Sequence, residues 1–168
     1  MVGTLISQCN PDLIQFIGHT AEIVQISSAS DMLYTLILND IPFRDWFLYV
    51  NTKRLGRAFE FAADWCVFHG LTFLPASAGV FFVVDFGPLV NRGIPREESS
   101  HHERIVRMFH TMDNAGVYVQ PMLPPEDPSK TQFRVMFALP QDVMLVALRR
   151  IESAFELERW EPVPVLGL

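Results

Sequence analysis

At Pro140 the chain changes its hydrophobic period, and that change limits the fold more than any other feature of its 168 residues. In "QFRVMFALPQDVMLVALRRIE", Phe133, Val135 and Phe137 alternate with Arg134, Met136 and Ala138, the two-residue repeat of a strand. Both faces of that strand are largely apolar. Beyond Pro140, a residue suited to the first turn of a helix, Val143, Ala147, Ile151, Ala154 and Phe155 return at helical spacing along one side. The pattern predicts a buried strand that feeds directly into a packed helix.

The upstream sequence supplies partners for this pair. Asp40 and Pro42 mark a helix start, and apolar residues at Phe43, Phe47, Val50, Phe59, Ala62 and Cys66 run to a glycine stop at Gly70. "LTFLPASAGVFFVVDFGPLV" then predicts a short strand, a turn over Ala76 to Gly79 and a main strand over Val80 to Phe86. A polar loop "NRGIPREESS" follows, with Ser99 or Ser100 capping a helix that ends before Gly116. A short strand "VYVQ" and a proline-rich loop lead back to the segment around Pro140. Ahead of all this stand a strand-like run at Val2 to Ile6, a helix from about Pro11 and a second helix after a serine-rich turn at Ser27 to Ser30. No repeat interrupts the order, which describes an α+β fold, a small mostly antiparallel sheet backed by helices.

Composition excludes several classes of function. With 49% hydrophobic residues and 14 phenylalanines, the chain has enough apolar material for the core of one domain. Its net charge of −6, with arginines scattered rather than striped, argues against nucleic acid and against an anionic membrane surface. The most apolar window, Leu71 to Val90, is broken by Pro75, Gly79, Asp85, Gly87 and Pro88, so it reads as strand and turns and not as a membrane span. No basic segment precedes an apolar run at the N-terminus, so no secretory signal is expected. Cys9 and Cys66 lie in apolar contexts and read as free buried thiols of a reducing, cytoplasmic compartment.

Arg134 is the residue that demands an explanation, because a guanidinium cannot shed its charge and needs a carboxylate, a phosphate or water. Two readings stand on the residue alone. Either it snorkels or pairs with a structural acid such as Asp85, or it forms a bidentate clamp for an acidic ligand. Asp85 itself reads as a strand-end acid that takes hydrogen bonds. His101, His102, Glu103 and His110 do not converge at helical spacing, so no metal is expected; Glu103 and Arg107 read as a surface pair one turn apart.

Together, "KRLGRAFEFAADW", "PASAGVFFVVDFGPLV", "GVYVQP" and "QFRVMFALPQDVMLVALRRIE" resemble the C-terminal part of the class I/II, fold type I, pyridoxal-phosphate-dependent aminotransferases. The branch they resemble most is the one containing 1-aminocyclopropane-1-carboxylate synthase. The resemblance runs from Val2 to about Phe155 and rests on the conjunction, with Phe133-Arg134 following Pro121 at the family's spacing. It implies that residues 1–40 correspond to a remnant of the large cofactor-binding domain and residues 41–168 to the small C-terminal domain. It implies that Arg134 is similar to the arginine that binds the α-carboxylate of an amino-acid substrate. It makes Ala78-Gly79 the tight turn before the central strand, and it places Ser27 to Ser30 near the mouth of the active site.

The departures from the family are equally specific. Val2-Gly3 resembles the x-Gly of an Arg-x-Gly downstream of the Schiff-base lysine, and Met1 stands where the arginine would be. Lys53 and Lys130 are the lysines of the chain, and neither matches the family motif. Met122 replaces the glycine of the proline-glycine turn. No catalytic residue, no pyridoxal-phosphate-binding residue and no metal ligand is therefore assigned, and the chain is expected to be inactive alone. Two classes of function follow. One is part of an aminotransferase or lyase acting on amino acids, dimeric like its relatives or completed by an N-terminal aminotransferase portion. The other is a non-catalytic interaction or small carboxylate-binding module derived from that family, with self-association through its uncovered apolar surface.

Overall fold

The computed structural model describes residues 10–23, 27–90, 100–122, 127 and 129–162. The expected strand at Val2 to Ile6, the polar loop after Val90 and most of the proline-rich loop lie outside them. Two compact units divide the chain, residues 1–51 and 52–168.

In the first unit, local signals start each helix. Asn10 Oδ1 accepts from the Leu13 N–H at 3.0 Å ahead of α1, Pro11–Ile23. Ser27 Oγ accepts from the Ser30 N–H at 3.2 Å and caps α2, Ser28–Asn39. Asp40 Oδ1 then accepts from the Phe43 N–H at 3.0 Å and opens α3, Ile41–Phe68, within which the boundary between the units falls. Such caps satisfy helix-end donors that would otherwise have no partner. Among the described residues of this unit no side chain is buried.

The second unit contains the sheet. Strands β1 (Phe73–Leu74), β2 (Phe81–Asp85), β3 (Gln120–Pro121) and β4 (Gln132–Met136) lie in the order β1-β2-β4-β3, every pair antiparallel. The α+β class read from the sequence is the observed one. Helices α4 (Gly87–Val90), α5 (His101–Asn114) and α6 (Gln141–Ala154) complete the unit. Gly70 and Gly116 end α3 and α5 at φ +66° and +70°, a backbone region that costs glycine no Cβ clash. Ser100 caps α5 through a reciprocal pair: Glu103 N–H donates to Ser100 Oγ at 3.2 Å, and Ser100 N–H donates to Glu103 Oε2 at 2.7 Å.

One sheet face is closed and the other is open. Phe82, Val84 and Phe133 enter a core with Trp65 and Cys66 of α3, Met108 and Met112 of α5, and Met144 and Leu148 of α6. On the opposite face, Phe81, Leu74 and Met136 are 43%, 53% and 54% exposed, so the Arg134 face is less buried than the alternation suggests.

Helix α6 also turns differently from the expectation. Its buried side chains are Met144, Leu148, Ile151 and Glu152, whereas Val143 is 48% exposed and Ala154 is exposed. Residues 143–148 are all apolar, so the sequence period does not select a face. Packing of Met144 and Leu148 into the sheet-backed core selects it instead.

Candidate functional site

Strand β4 holds Arg134 at the centre of the open face, paired with Val83 of β2 on one side and Gln120 of β3 on the other. Paired residues share a face, so Phe81, Val83, Met136 and Arg134 stand together. The guanidinium is half-buried and lies 5.2 Å from the centre of the Phe81 ring, within cation–π range. Arg134 Nε approaches Met122 Sδ at 3.1 Å, a weak acceptor for so strong a donor. Arg134 makes no ion pair among the described residues. Among the described residues its partners are one aromatic face and one thioether, neither of which engages more than one of its five N–H donors.

Asp85 is engaged elsewhere. It is 9% exposed at the end of β2, and its Oδ1 accepts from the Thr131 N–H at 2.8 Å and the Gly87 N–H at 2.9 Å. A Cβ at position 87 would come within 2.9 Å of the same oxygen, so glycine is what lets the chain turn there. Asp85 thus acts as the strand-end hydrogen-bonding acid read from the sequence and forms no pair with Arg134. Met122 is the residue whose sulfur meets Arg134. Gly79, in the turn before β2, has φ +86°.

The remaining candidates are placed as follows. Lys53 is exposed on α3, and Lys130 Nζ lies 3.8 Å from Asp127 Oδ2 with its side chain 43% exposed. Ser27 caps α2, and its hydroxyl lies 2.9 Å from that of Ser30. Among the described residues no three His, Cys, Asp or Glu side chains converge as a metal site. Glu103 does not form the expected ion pair with Arg107. The Ser100 backbone and hydroxyl hydrogen bonds hold its carboxylate and keep its pKa below the usual range, with Arg107 adding only a more distant attraction. Cys66 is a free buried thiol whose pKa burial pushes up to about 12, so it is no nucleophile; Cys9 lies outside the described residues.

Sequence reasoning missed the most highly connected carboxylate. Glu152 Oε1 accepts from Trp65 Nε1 at 2.9 Å and from the Trp160 N–H at 3.0 Å, and lies 3.3 Å from His69 Nε2. Its Oε2 accepts from Arg149 Nη1 at 2.9 Å. Burial alone would raise its pKa, but the hydrogen bonds from Trp160, Arg149, Trp65 and His69 outweigh burial and hold it below the usual carboxylate range. Only its position next to Ile151 hinted at burial. Apart from Arg149, one turn earlier on α6, the partners come from α3, from His69 just beyond it and from the segment after α6, which no local pattern connects.

No family model matches the chain. A probable aminotransferase, gliI, of Aspergillus fumigatus is 27% identical over 167 residues, which cover 96% of this chain and 37% of that protein. The structure of aminotransferase Aro8 from Candida albicans superposes with a TM-score of 0.61 at 18% identity, over 88% of this chain and 36% of that one. The pyridoxal-phosphate-bound C-S lyase from Staphylococcus hominis gives 0.50 at 21% identity, over 67% and 27%. The chain thus spans little more than a third of the length of the curated relative it matches. By sequence along nearly all of its own length, and by fold, it is similar to part of a fold type I aminotransferase.

Proposed function

We propose that the chain is the small-domain portion of a pyridoxal-phosphate-dependent aminotransferase or lyase acting on amino acids, and that Arg134 binds the substrate α-carboxylate. The observation that carries this reading is the position of Arg134: a planar, permanently charged fork on a sheet strand, with no carboxylate of the described residues paired to it. A fork so placed recognises a carboxylate at two points and fixes the attached Cα relative to the sheet. The expected domain division, residues 1–40 and 41–168, belongs to the same reading, as does the 1-aminocyclopropane-1-carboxylate synthase-like branch. So does a cytoplasmic setting. Among the described residues no helix is long and apolar enough to cross a membrane.

The lysines of the chain do not fit the cofactor. A Schiff-base amine needs an enclosed, desolvated setting, whereas Lys53 is exposed and Lys130, its side chain 43% exposed, sits in a turn beside Asp127. In this reading the chain contributes substrate recognition, and the amine that holds the cofactor belongs to a complementing aminotransferase portion. A second reading, a non-catalytic module that binds other polypeptides, is favoured by the apolar side chains of residues 13–49 that stand exposed.

Ligand-observed NMR with maleate and with amino acids tests the first reading. A single charge-assisted fork supports millimolar or weaker binding, since it contributes only about 1.5–3 kcal/mol. Arg134→Lys should abolish the maleate signal, because an ammonium does not reproduce a two-point planar contact, and should shift the melt by less than about 1 kcal/mol. A loss of stability with no ligand response in the parent chain would contradict the clamp.

A further inference from the structure

Arg54 and Arg57, three residues apart on α3, stand on neighbouring positions of one helix side. They border a cavity of about 200 Å³ whose other lining side chains include Phe61, Phe137, Gln141 and Met144. Phe61, Phe137 and Met144 are 8%, 3% and 3% exposed, so the floor is apolar and fixed by the core. Both arginines are exposed, and neither guanidinium forms an ion pair or hydrogen bond among the described residues. The nearest acids in sequence on the two bordering helices, Glu60 of α3 and Asp142 in the first turn of α6, pair with neither. Gln141 opens α6, whose N-cap is Pro140 and which lacks a side-chain cap on its first-turn donors.

We propose that this cavity is a second ligand site, distinct from Arg134, that takes a small carboxylate with an apolar body, of the size of phenylacetate. The chemistry has two parts. Two like charges one helical turn apart repel, and an anion between them removes that repulsion while accepting from both planar forks. The apolar floor favours a hydrocarbon body over a bare anion, because it returns nothing to a hydrated phosphate or acetate. The volume lies below the range of drug-sized pockets, which limits the body to a single ring or a short branched chain. Two guanidinium groups over an apolar floor, in a chain of net charge −6, do not form the extended basic stripe that nucleic acid needs.

Ligand-observed NMR on the full chain tests the site, with phenylacetate, acetate, inorganic phosphate and phenylethylamine as probes. Phenylacetate should bind, with acetate and phosphate at least about tenfold weaker and the amine silent. The double variant Arg54→Gln, Arg57→Gln should weaken phenylacetate at least about tenfold, since each charged hydrogen bond it removes is of that order. Because both side chains are exposed, its melting temperature should match that of the parent chain. Arg134→Lys should leave phenylacetate binding unchanged, which separates this site from the one proposed above. Equal binding to the double variant, equal binding of acetate, or loss of binding in Arg134→Lys would overturn the proposal.

Discussion

Residues 1–51 and 52–168 are both rich in apolar side chains, yet they use them in opposite ways. In the second unit Trp65, Phe86, Phe133 and Met108 are each less than 2% exposed. In the first, Phe16 is 69% exposed, Tyr49 67%, Met32 60% and Trp46 58%, and no described side chain is buried. The helices of the first unit begin at good local caps, so capping and propensity are enough to define them. They are not enough to hide a hydrophobic face, and short helices draw most of their stability from such burial. A core requires elements from distant parts of the sequence, which the second unit has in its sheet and in α3, α5 and α6.

The largest contrast should come from truncating one phenylalanine in each unit. Phe133 is fully buried, with its ring 6.1 Å from that of Phe86, and Phe133→Ala should cost about 3–5 kcal/mol in denaturant melts. Phe16→Ala should change the same melt by less than about 0.5 kcal/mol. A large effect at Phe16 would break the comparison.

Next comes Glu152, which ties α3, α6 and the segment at Trp160 together. Glu152→Gln retains an acceptor but loses the charge that Arg149 faces, at an expected cost of about 1–3 kcal/mol. The pH dependence has a definite sign. The folded pKa of Glu152 lies below its unfolded value of about 4.3, so the unfolded chain binds more protons in the acid range. Its contribution is therefore complete above about pH 4.3 and is lost as pH falls through the folded pKa. Melts of the variant should show a shallower acid decline, and an unchanged acid limb would show that other carboxylates dominate it.

The smallest effect on stability should accompany a large one on association. Phe16→Ser with Trp46→Ser should shift the melt of the second unit by less than about 0.5 kcal/mol while reducing self-association in sedimentation. A parent chain that sediments as a compact monomer at micromolar concentration would remove the reason to assign these faces a partner.

How much of this was legible in the sequence depended on the range of each interaction. The glycine stops at Gly70 and Gly116, the starts at Asp40 and Ser100 and the alternation of β4 all act within a few residues, and all stand where the sequence puts them. The burial of α6 was misread because six consecutive apolar residues leave its phase to tertiary packing. Glu103 was matched to Arg107 by spacing, but the nearer donors of Ser100 take its carboxylate. Arg134 could be singled out from the sequence, whereas its neighbours Phe81 and Met122 come from two other segments brought in by strand pairing. The bonds of Glu152 to Trp65, His69 and Trp160 and the Arg54–Arg57 cavity depend on such long-range placement, and the position of Glu152 next to Ile151 was the one local hint.

The second unit folds on its own contacts, while the described helices of the first bury no side chain. Native-state amide hydrogen exchange, at a dilution where sedimentation shows a monomer, tests this most directly. Amides in the β2–β4 ladder should exchange only through global unfolding, and those of α1 and α2 should exchange at least about a hundredfold faster, through local opening. Equal protection of α1, α2 and β4 in that monomer would contradict the account.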